Sequence, residues 1–314
     1  PQQPDEREEQ RHDDGTPLMP PAEHFASPPQ WEWWILGYFF FGGLAGGSYA
    51  LGTLLRFAGD ARHESAARLA FITSFIALIP CPIFLMADLG QPLLFWHMLV
   101  DTSPGGGLAF KPDSPMSLGS WALLVFGLFS FVSFLGAIAE VGWFRATSAI
   151  ARILRGGVGL VWNAIGTVFG LFICAYTGVL LAVSNQPVWS DAGWALGGMF
   201  VASALTGAAA LLLLFAQSRR DVDADTTVRL ATADRFFVIL EAVLILLFLA
   251  SVAIAGSITR VLGVWIVLWI LVILGLAAPF LASRARRWPP VAAPVLALLG
   301  VLALRALVIF SAQI

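Results

Sequence analysis

Residues 236–256 read FFVILEAVLILLFLASVAIAG, an apolar stretch with a single charged residue, Glu241. A helix of roughly 20 such residues crosses the hydrocarbon core of a bilayer, which is about 30 Å thick. Seven further stretches share this character, so the sequence predicts an all-α integral membrane protein with eight transmembrane helices. The predicted spans are residues 31–57, 69–87, 117–144, 158–184, 192–217, 236–256, 261–281 and 291–312. Composition agrees, because 58% of the residues are hydrophobic and only 12% are charged.

The positive charges are concentrated in alternate gaps between these spans. Thirteen of the 18 Lys and Arg residues lie in or beside the odd-numbered gaps: Arg56, Arg62, Arg68, Arg145, Arg152, Arg155, Arg219, Arg220, Arg229, Arg235, Arg284, Arg286 and Arg287. Short loops rich in Lys and Arg face the cytoplasm, so the sequence predicts that both termini lie outside. Lys111 is the single lysine of the chain, which suggests a GC-rich bacterial genome and hence a bacterial plasma membrane.

Composition also divides the chain into regions. Residues 1–30 are polar, acidic and Pro-rich, so we expect a flexible extracytoplasmic tail, or a strap that binds a partner. The remainder, 31–314, is the predicted membrane domain. Its first and fifth spans are glycine-rich and run in the same direction, which predicts two four-helix bundles, 31–190 and 191–314. The glycines indicate close helix packing or, alternatively, a ligand lying against bare backbone.

The inventory of metal-binding residues limits the redox chemistry of this chain. Cys81 and Cys174 both lie within spans, whereas an iron–sulfur cluster needs about four thiolates. We therefore expect two small buried residues and no disulfide. No predicted span contains a histidine, so a bis-histidine haem between helices is excluded; the histidines are His12, His24, His63 and His97.

The longest gap lies between the second and third spans and begins with the sequence DLGQP at residues 88–92. Gly90 can end the preceding helix and Pro92 prevents its continuation. The following apolar segment, 93–99, is predicted to form a short helix at the level of the lipid headgroups, where tryptophan is favoured.

Polar residues inside spans are costly in a bilayer and are therefore functional candidates. One group lies toward the outer side and comprises Tyr38, Asp88, Tyr176, Arg305 and, in the outer gap, His97. Simpler alternatives are an interfacial position for Tyr38 and His97, and a cap of the following loop for Asp88. Arg305 is expected either to snorkel to the surface or to pair with Asp88 or another buried acid.

A second group consists of two carboxylates toward the inner side. Glu140 lies near the inner end of the third span, and Glu241 about one and a half turns from the inner end of the sixth. Position alone therefore predicts an outer polar cluster that is separate from an inner pair of carboxylates. For Glu140 the alternative is a residue at the inner membrane boundary.

Five segments in order resemble the polysulfide reductase membrane subunit (NrfD/PsrC) family over about residues 31–314. They are GLAGG (43–47), DLGQP (88–92), SPMSLGSW (114–121), AYTGVLL (175–181) with PVW (187–189), and LRALVIFSAQ (304–313). The resemblance implies a haem-free, quinone-reactive membrane subunit that docks an extracytoplasmic ferredoxin-like iron–sulfur subunit. That subunit usually connects to a molybdopterin-type catalytic subunit.

A quinone, menaquinone or ubiquinone, is then the expected cofactor, with the five outer candidates as its binding residues. In the polysulfide reductase branch a histidine five residues before GLAGG contacts quinone, and Tyr38 occupies that position here. The residue after Asp-Leu-Gly is often arginine in the family, and here it is Gln91. Glu140 and Glu241 are the expected proton pathway.

Two other classes remain open from the sequence. A passive membrane anchor of a redox complex would contain the same helices without using the outer polar residues. A secondary transporter would also have eight helices, repeats and buried charges, although Pro80 and Pro82 have no counterpart in the sixth span.

Overall fold

The computed structural model describes residues 30–142, 148–219, 221–284 and 289–313. Within these ranges, eight helices are long and apolar enough to cross a membrane, as the sequence predicts. They are α1 (Trp33–Phe57), α2 (Ala61–Asp88), α3 (Pro115–Val141), α4 (Gly157–Ala182), α5 (Trp194–Ala216), α6 (Ala224–Ile254), α7 (Ile266–Arg284) and α8 (Ala292–Ser311). Residues 1–29 of the predicted tail lie outside the described part of the chain.

Three helices begin five or more residues away from the predicted position. α2 and α6 begin eight and twelve residues earlier, because Asp60 and Asp223 cap them by accepting hydrogen bonds from backbone N–H groups two residues ahead. These polar first turns extend beyond the apolar stretches on which the prediction rested. α7 begins later than predicted, because residues Ile258–Leu262 form a separate short helix that ends before Gly263.

Helices α1 and α5 occupy the centre of the protein. α1 packs against α2, α4 and α5, and α5 also contacts α4, α6 and α8, whereas α7 packs mainly on α8. A Cβ atom on Gly46 would lie 2.3 Å from the Gly170 carbonyl oxygen, and one on Gly47 2.5 Å from that of Ala204. Of the two alternatives for the glycine-rich face, these contacts show close helix packing.

The two ends of the bundle differ in chemistry. At one end, which we call the terminal face, the Trp31 N–H donates to Gln313 Oε1 over 3.0 Å, and Gln313 Nε2 donates to the Trp31 carbonyl over 3.1 Å. The opposite end, which we call the arginine face, carries Arg56, Glu140 and Arg155 in one ion-pair cluster. Successive membrane-crossing helices run between these two faces in alternating directions.

Helix α2 consists of two segments, Glu64–Leu78 and Pro80–Asp88. Pro80 and Pro82 have no backbone N–H, so the ladder of helical hydrogen bonds is interrupted between the segments. The helix ends as predicted, with Gly90 in the left-handed region at φ +70°. The predicted headgroup-level segment forms a short 3-10 helix, Pro92–Met98.

Candidate functional site

Tyr38 of α1 and Tyr176 of α4 lie close enough to interact electrostatically, in the half of the bundle nearest the terminal face. Both side chains are buried, with 3% and 7% of their surface exposed. The Tyr176 hydroxyl donates a 2.8 Å hydrogen bond to the Pro115 carbonyl, and its ring fills the space beside Gly119. The Tyr38 hydroxyl makes no hydrogen bond to another described residue. The pair therefore offers one unused donor and one oxygen with spare lone pairs.

Apolar and sulfur-containing groups surround this pair of tyrosines. Cys81 Sγ lies 4.0 Å from the Tyr38 carbonyl oxygen, and the Phe172 ring stacks on Tyr176 at 5.8 Å. Cys174 Sγ lies 3.6 Å from the Gly43 carbonyl oxygen. Both cysteines are buried and free, as predicted. The two tyrosine side chains thus lie in mostly apolar surroundings.

Arg305 of α8 is fully buried, and α8 packs against α1, the helix that carries Tyr38. Its Nη1 donates to Ser203 Oγ over 2.7 Å and its Nε to the Phe39 carbonyl over 3.1 Å. Its Nη2 lies where a Cβ on Gly43 would be only 2.6 Å away, so the first glycine of the GLAGG motif makes room for the guanidinium. The predicted pairing with Asp88 is not seen, because these partners hold the side chain inside the bundle.

Glu241 lies in the same cluster as Arg305. The sequence had predicted the two residues in separate groups, Arg305 toward the outer side and Glu241 toward the inner side. Its carboxylate attracts the Arg305 guanidinium and faces the Ser203 and Thr206 side chains. Because α6 begins at Ala224, Glu241 lies about 25 Å from the start of the helix and about 20 Å from its end, at about 1.5 Å per residue. The expected separation of outer cluster and inner carboxylates was therefore wrong for Glu241.

The environment of Glu241 is incompletely satisfied. Its Oε2 atom is buried and has no hydrogen-bond partner among the described residues. A small cavity lies beside it, lined also by Gly275 and Gly300, and is about large enough for one water molecule. Such a carboxylate can hold or release a proton, because one of its oxygens has no donor that favours the charged state.

Asp234 is a buried residue that the sequence did not single out. It lies seven residues before Glu241 on α6, so the two side chains share a helix face about 10 Å apart along the axis. They interact electrostatically, and Asp234 Oδ1 lacks a hydrogen-bond partner within the described chain. Position 234 precedes the apolar stretch, so the criterion of a polar residue inside a predicted span does not select it. The spacing of seven residues between Asp234 and Glu241, which places both on one face of a helix, could have identified it from the sequence.

Asp88 and His97 do not join the tyrosine pair. Asp88 is half-buried at the end of α2, where its electrostatic neighbour is Glu32. His97 is exposed on the 3-10 helix, with its ring 4.0 Å from that of Trp96. Both residues lie at the terminal face. The other three outer candidates, Tyr38, Tyr176 and Arg305, are buried inside the bundle.

Glu140 has a very different environment at the arginine face. Its side chain is completely buried, with Arg56 Nη2 and Arg155 Nε each 3.2 Å from its oxygens and Arg68 Nη1 at 4.0 Å. Arg56 also binds Glu64 at 2.8 Å. The carboxylate is therefore the shared partner of three cations from α1, α2 and the segment before α4.

The loops of the arginine face connect the first four helices to the later ones. Ser65 Oγ donates to Asp221 over 2.7 Å, and buried His63 contacts Thr226 at 2.7 Å. Hydrogen bonds from Arg219 and Ser65 lower the pKa of the Asp221 carboxyl well below its usual range. These loop contacts keep the early turns of α2 and α6 side by side.

In the ranges that the structure describes, no group of three or more His, Cys, Asp and Glu side chains has an arrangement suited to a metal ion. Eight apolar helices around a buried polar cluster define the class of the molecule, a multi-pass membrane protein. The chain belongs to the family described as polysulphide reductase, NrfD, whose match covers residues 23–314. The resemblance inferred from the five sequence segments is thereby confirmed.

A shorter similarity connects the chain to a protein with a reductase name. The chain is 36% identical over 81 residues to a protein of Mesobacillus selenatarsenatis that is named as a subunit of selenate reductase. The aligned region is 26% of this chain and 19% of that relative, so the chain spans about a fifth of the relative's length.

Proposed function

We propose that this chain is the haem-free, quinone-reactive membrane subunit of a respiratory oxidoreductase complex. The observation that supports this most directly is the convergence of Tyr38 and Tyr176 in a buried, mostly apolar site. A quinone head group needs an apolar slot and one or two polar groups that orient its carbonyl oxygens. The tyrosine pair supplies those groups from two different helices.

The two hydroxyls suit different steps of quinone chemistry. The unused Tyr38 hydroxyl can donate to a quinone carbonyl. Tyr176 already donates to the Pro115 carbonyl, so its oxygen is oriented to accept a hydrogen bond from a hydroquinone O–H. One tyrosine therefore recognises the oxidised form and the other the reduced form. Interconversion of the two forms moves two electrons and two protons.

The electrons have to pass to or from a partner protein. The chain has two cysteines, which is fewer than the four thiolates that an iron–sulfur cluster typically requires. The proposed partner is an extracytoplasmic ferredoxin-like iron–sulfur subunit, itself joined to a molybdopterin-type catalytic subunit. Membership of the NrfD family and the similarity to a protein named as part of a reductase support such a complex.

The proposed orientation places the terminal face outside the bacterial plasma membrane, with both termini there. Its support is the concentration of positive residues at the arginine face. In this arrangement α1–α4 and α5–α8 form two four-helix bundles that meet through α1 and α5. Asp88 and His97 then lie on the side where the iron–sulfur subunit docks, and contribute to the rim of the quinone site.

The proposed proton route runs through the second bundle. Asp234, Glu241, Ser203 and Arg305 form a file of buried polar groups from the arginine-face half of the bundle toward the tyrosine pair. Water in the cavity beside Glu241 can bridge gaps that are longer than a hydrogen bond. We assign Glu140 a structural role, because its carboxylate is the shared partner of three arginines.

The test uses the three tyrosines of the chain in the purified complex. Tyr38→Phe breaks no hydrogen bond to a described residue, so it isolates the bond to quinone. Losing that bond should lower quinone-coupled kcat/KM by about 5- to 150-fold, corresponding to roughly 1–3 kcal/mol. Tyr176→Phe should have an effect of similar size. Activity of the catalytic partner with an artificial dye should stay unchanged in both variants.

Tyr49→Phe is the matched control. Its hydroxyl binds Ser133 over 2.8 Å, several turns away toward the arginine face, so this variant loses an internal hydrogen bond and should retain quinone turnover. Full quinone activity in Tyr38→Phe and Tyr176→Phe would contradict the proposal and favour a passive anchor.

A further inference from the structure

The two segments of α2 pack against different neighbours. Glu64–Leu78 packs on α1 and α3, whereas Pro80–Asp88 packs mainly on α1. The second segment packs on α1 because the Phe84 ring fills the space beside Gly37 of α1. A Cβ at position 37 would lie 2.7 Å from that ring. The proline pair permits the change of neighbour by interrupting the helical hydrogen bonds.

The second segment of α2 and the end of its first segment are consequently separated from residues 120–131 of α3 by a cleft of about 610 Å³. The 3-10 helix Pro92–Met98 covers the end of the cleft nearest the terminal face, through Phe95 and Met98. Leu124 and Leu128 on the α3 wall are 52% and 56% exposed, so the cleft opens sideways toward lipid.

The cleft is suited to hydrocarbon. None of its described lining residues is charged. The hydroxyl of Ser120 is its one polar side chain, and it already donates to the Met116 carbonyl over 2.8 Å and lies 3.9 Å from Met98 Sδ. A polar ligand group placed here would lose its water without gaining a partner, so the buried part of an occupant has to be apolar.

The cleft and the tyrosine site share both of their walls. On α3, Gly119 contacts the Tyr176 ring and the next residue, Ser120, lines the cleft. On α2, Cys81 Sγ lies 4.0 Å from the Tyr38 carbonyl oxygen, and the next residue, Pro82, lines the cleft. Neighbouring residues on a helix point about 100° apart, so each wall presents one residue to the site and the next to the cleft.

We propose that this cleft holds the isoprenoid tail of the quinone whose head group lies at Tyr38 and Tyr176. The inference rests on the proposed function and adds to it the path by which the substrate enters from the bilayer. An acyl chain of a phospholipid would also be apolar, but the shared walls connect the cleft to a site for a head group. The gap between the second segment of α2 and α3 is the lateral entrance.

Leu124→Trp in the purified complex tests the inference, because it fills the cleft without touching either tyrosine. KM for a long-tailed isoprenoid quinone should rise about tenfold, as expected when a few methylene groups leave apolar contact, while kcat is unchanged. KM for a tailless analogue of the same quinone should stay within about twofold. Leu246→Trp, on a lipid-exposed face of α6 outside the cleft, should change neither value.

Gly127→Leu provides a second variant should the tryptophan prevent folding, since a Cβ there has its nearest neighbour, Leu78 Cδ2, at 3.9 Å. Unchanged KM for the long-tailed quinone, or an equal rise for both quinones, would overturn the tail assignment. That failure is distinguishable from failure of the quinone site itself, which Tyr38→Phe reports with the tailless analogue.

Discussion

The two buried glutamates of this membrane protein lie in regions that handle charge in opposite ways. At the arginine face, Glu140 has three arginines within 4.0 Å. In the middle of the bundle, Glu241 has Arg305 as its cationic neighbour, and one of its oxygens lacks a hydrogen-bond partner in the described chain. The Glu140 carboxylate is thus surrounded by cationic partners, whereas the Glu241 carboxylate has one oxygen without a hydrogen bond to a described residue.

This difference separates structural from functional use of a buried charge. A buried ion pair is costly to break, because removing one member leaves the other desolvated and unpaired. A group with unsatisfied hydrogen-bonding capacity costs stability without such a return, so its retention needs another reason. For Glu241 we infer that the reason is proton transfer to the quinone site.

The largest effect is expected from Arg305→Gln. The change removes the donors to the Phe39 carbonyl and Ser203 and leaves Glu241 without a cation, which should cost about 3–5 kcal/mol of stability. Thermal unfolding of the purified complex measures this loss. The control is Arg155→Gln, whose side chain is 62% exposed and should contribute only about 0–1 kcal/mol. Equal unfolding temperatures for the two variants would remove the distinction between buried and surface arginines.

A smaller and more selective effect is expected when each glutamate is changed to glutamine. Glu140→Gln should lower the unfolding temperature, because Arg56 is only 7% exposed and loses a partner, while quinone turnover per folded complex is kept. Glu241→Gln should still bind quinone, but its proton-coupled turnover per folded complex should fall by about 10²-fold, the usual contribution of a positioned acid or base. The reverse pattern would exchange the roles that we assign to the two residues.

Much of the fold was predictable because hydrocarbon tolerates few alternatives to an apolar helix. All eight helices were expected from apolar runs such as residues 236–256, and the ends of several agree within a few residues. The start of α6 was missed because its first three turns are polar and a capping aspartate, Asp223, begins the helix. Capping is a local signal that an apolar window does not detect.

The site was only partly predictable because its contacts join residues distant in sequence. Arg305, Tyr38 and Tyr176 were recognised as polar residues inside spans, but the depth of one residue does not reveal its neighbours on another helix. One side-chain partner of Arg305 is Ser203, a small residue that hydropathy does not mark. The need for glycine at position 43 likewise depends on the packing of α8 against α1, which places the Arg305 guanidinium beside that position.

Photo-cross-linking with an azido-quinone tests the central claim most directly, because it locates the head group without altering the chain. After irradiation of the complex, mass spectrometry of its peptides should find the label on α1 near Tyr38 and on α4 near Tyr176, and excess unlabelled quinone should suppress it. Label confined to α7 and α8, or to a partner protein, would contradict a quinone site between these two tyrosines.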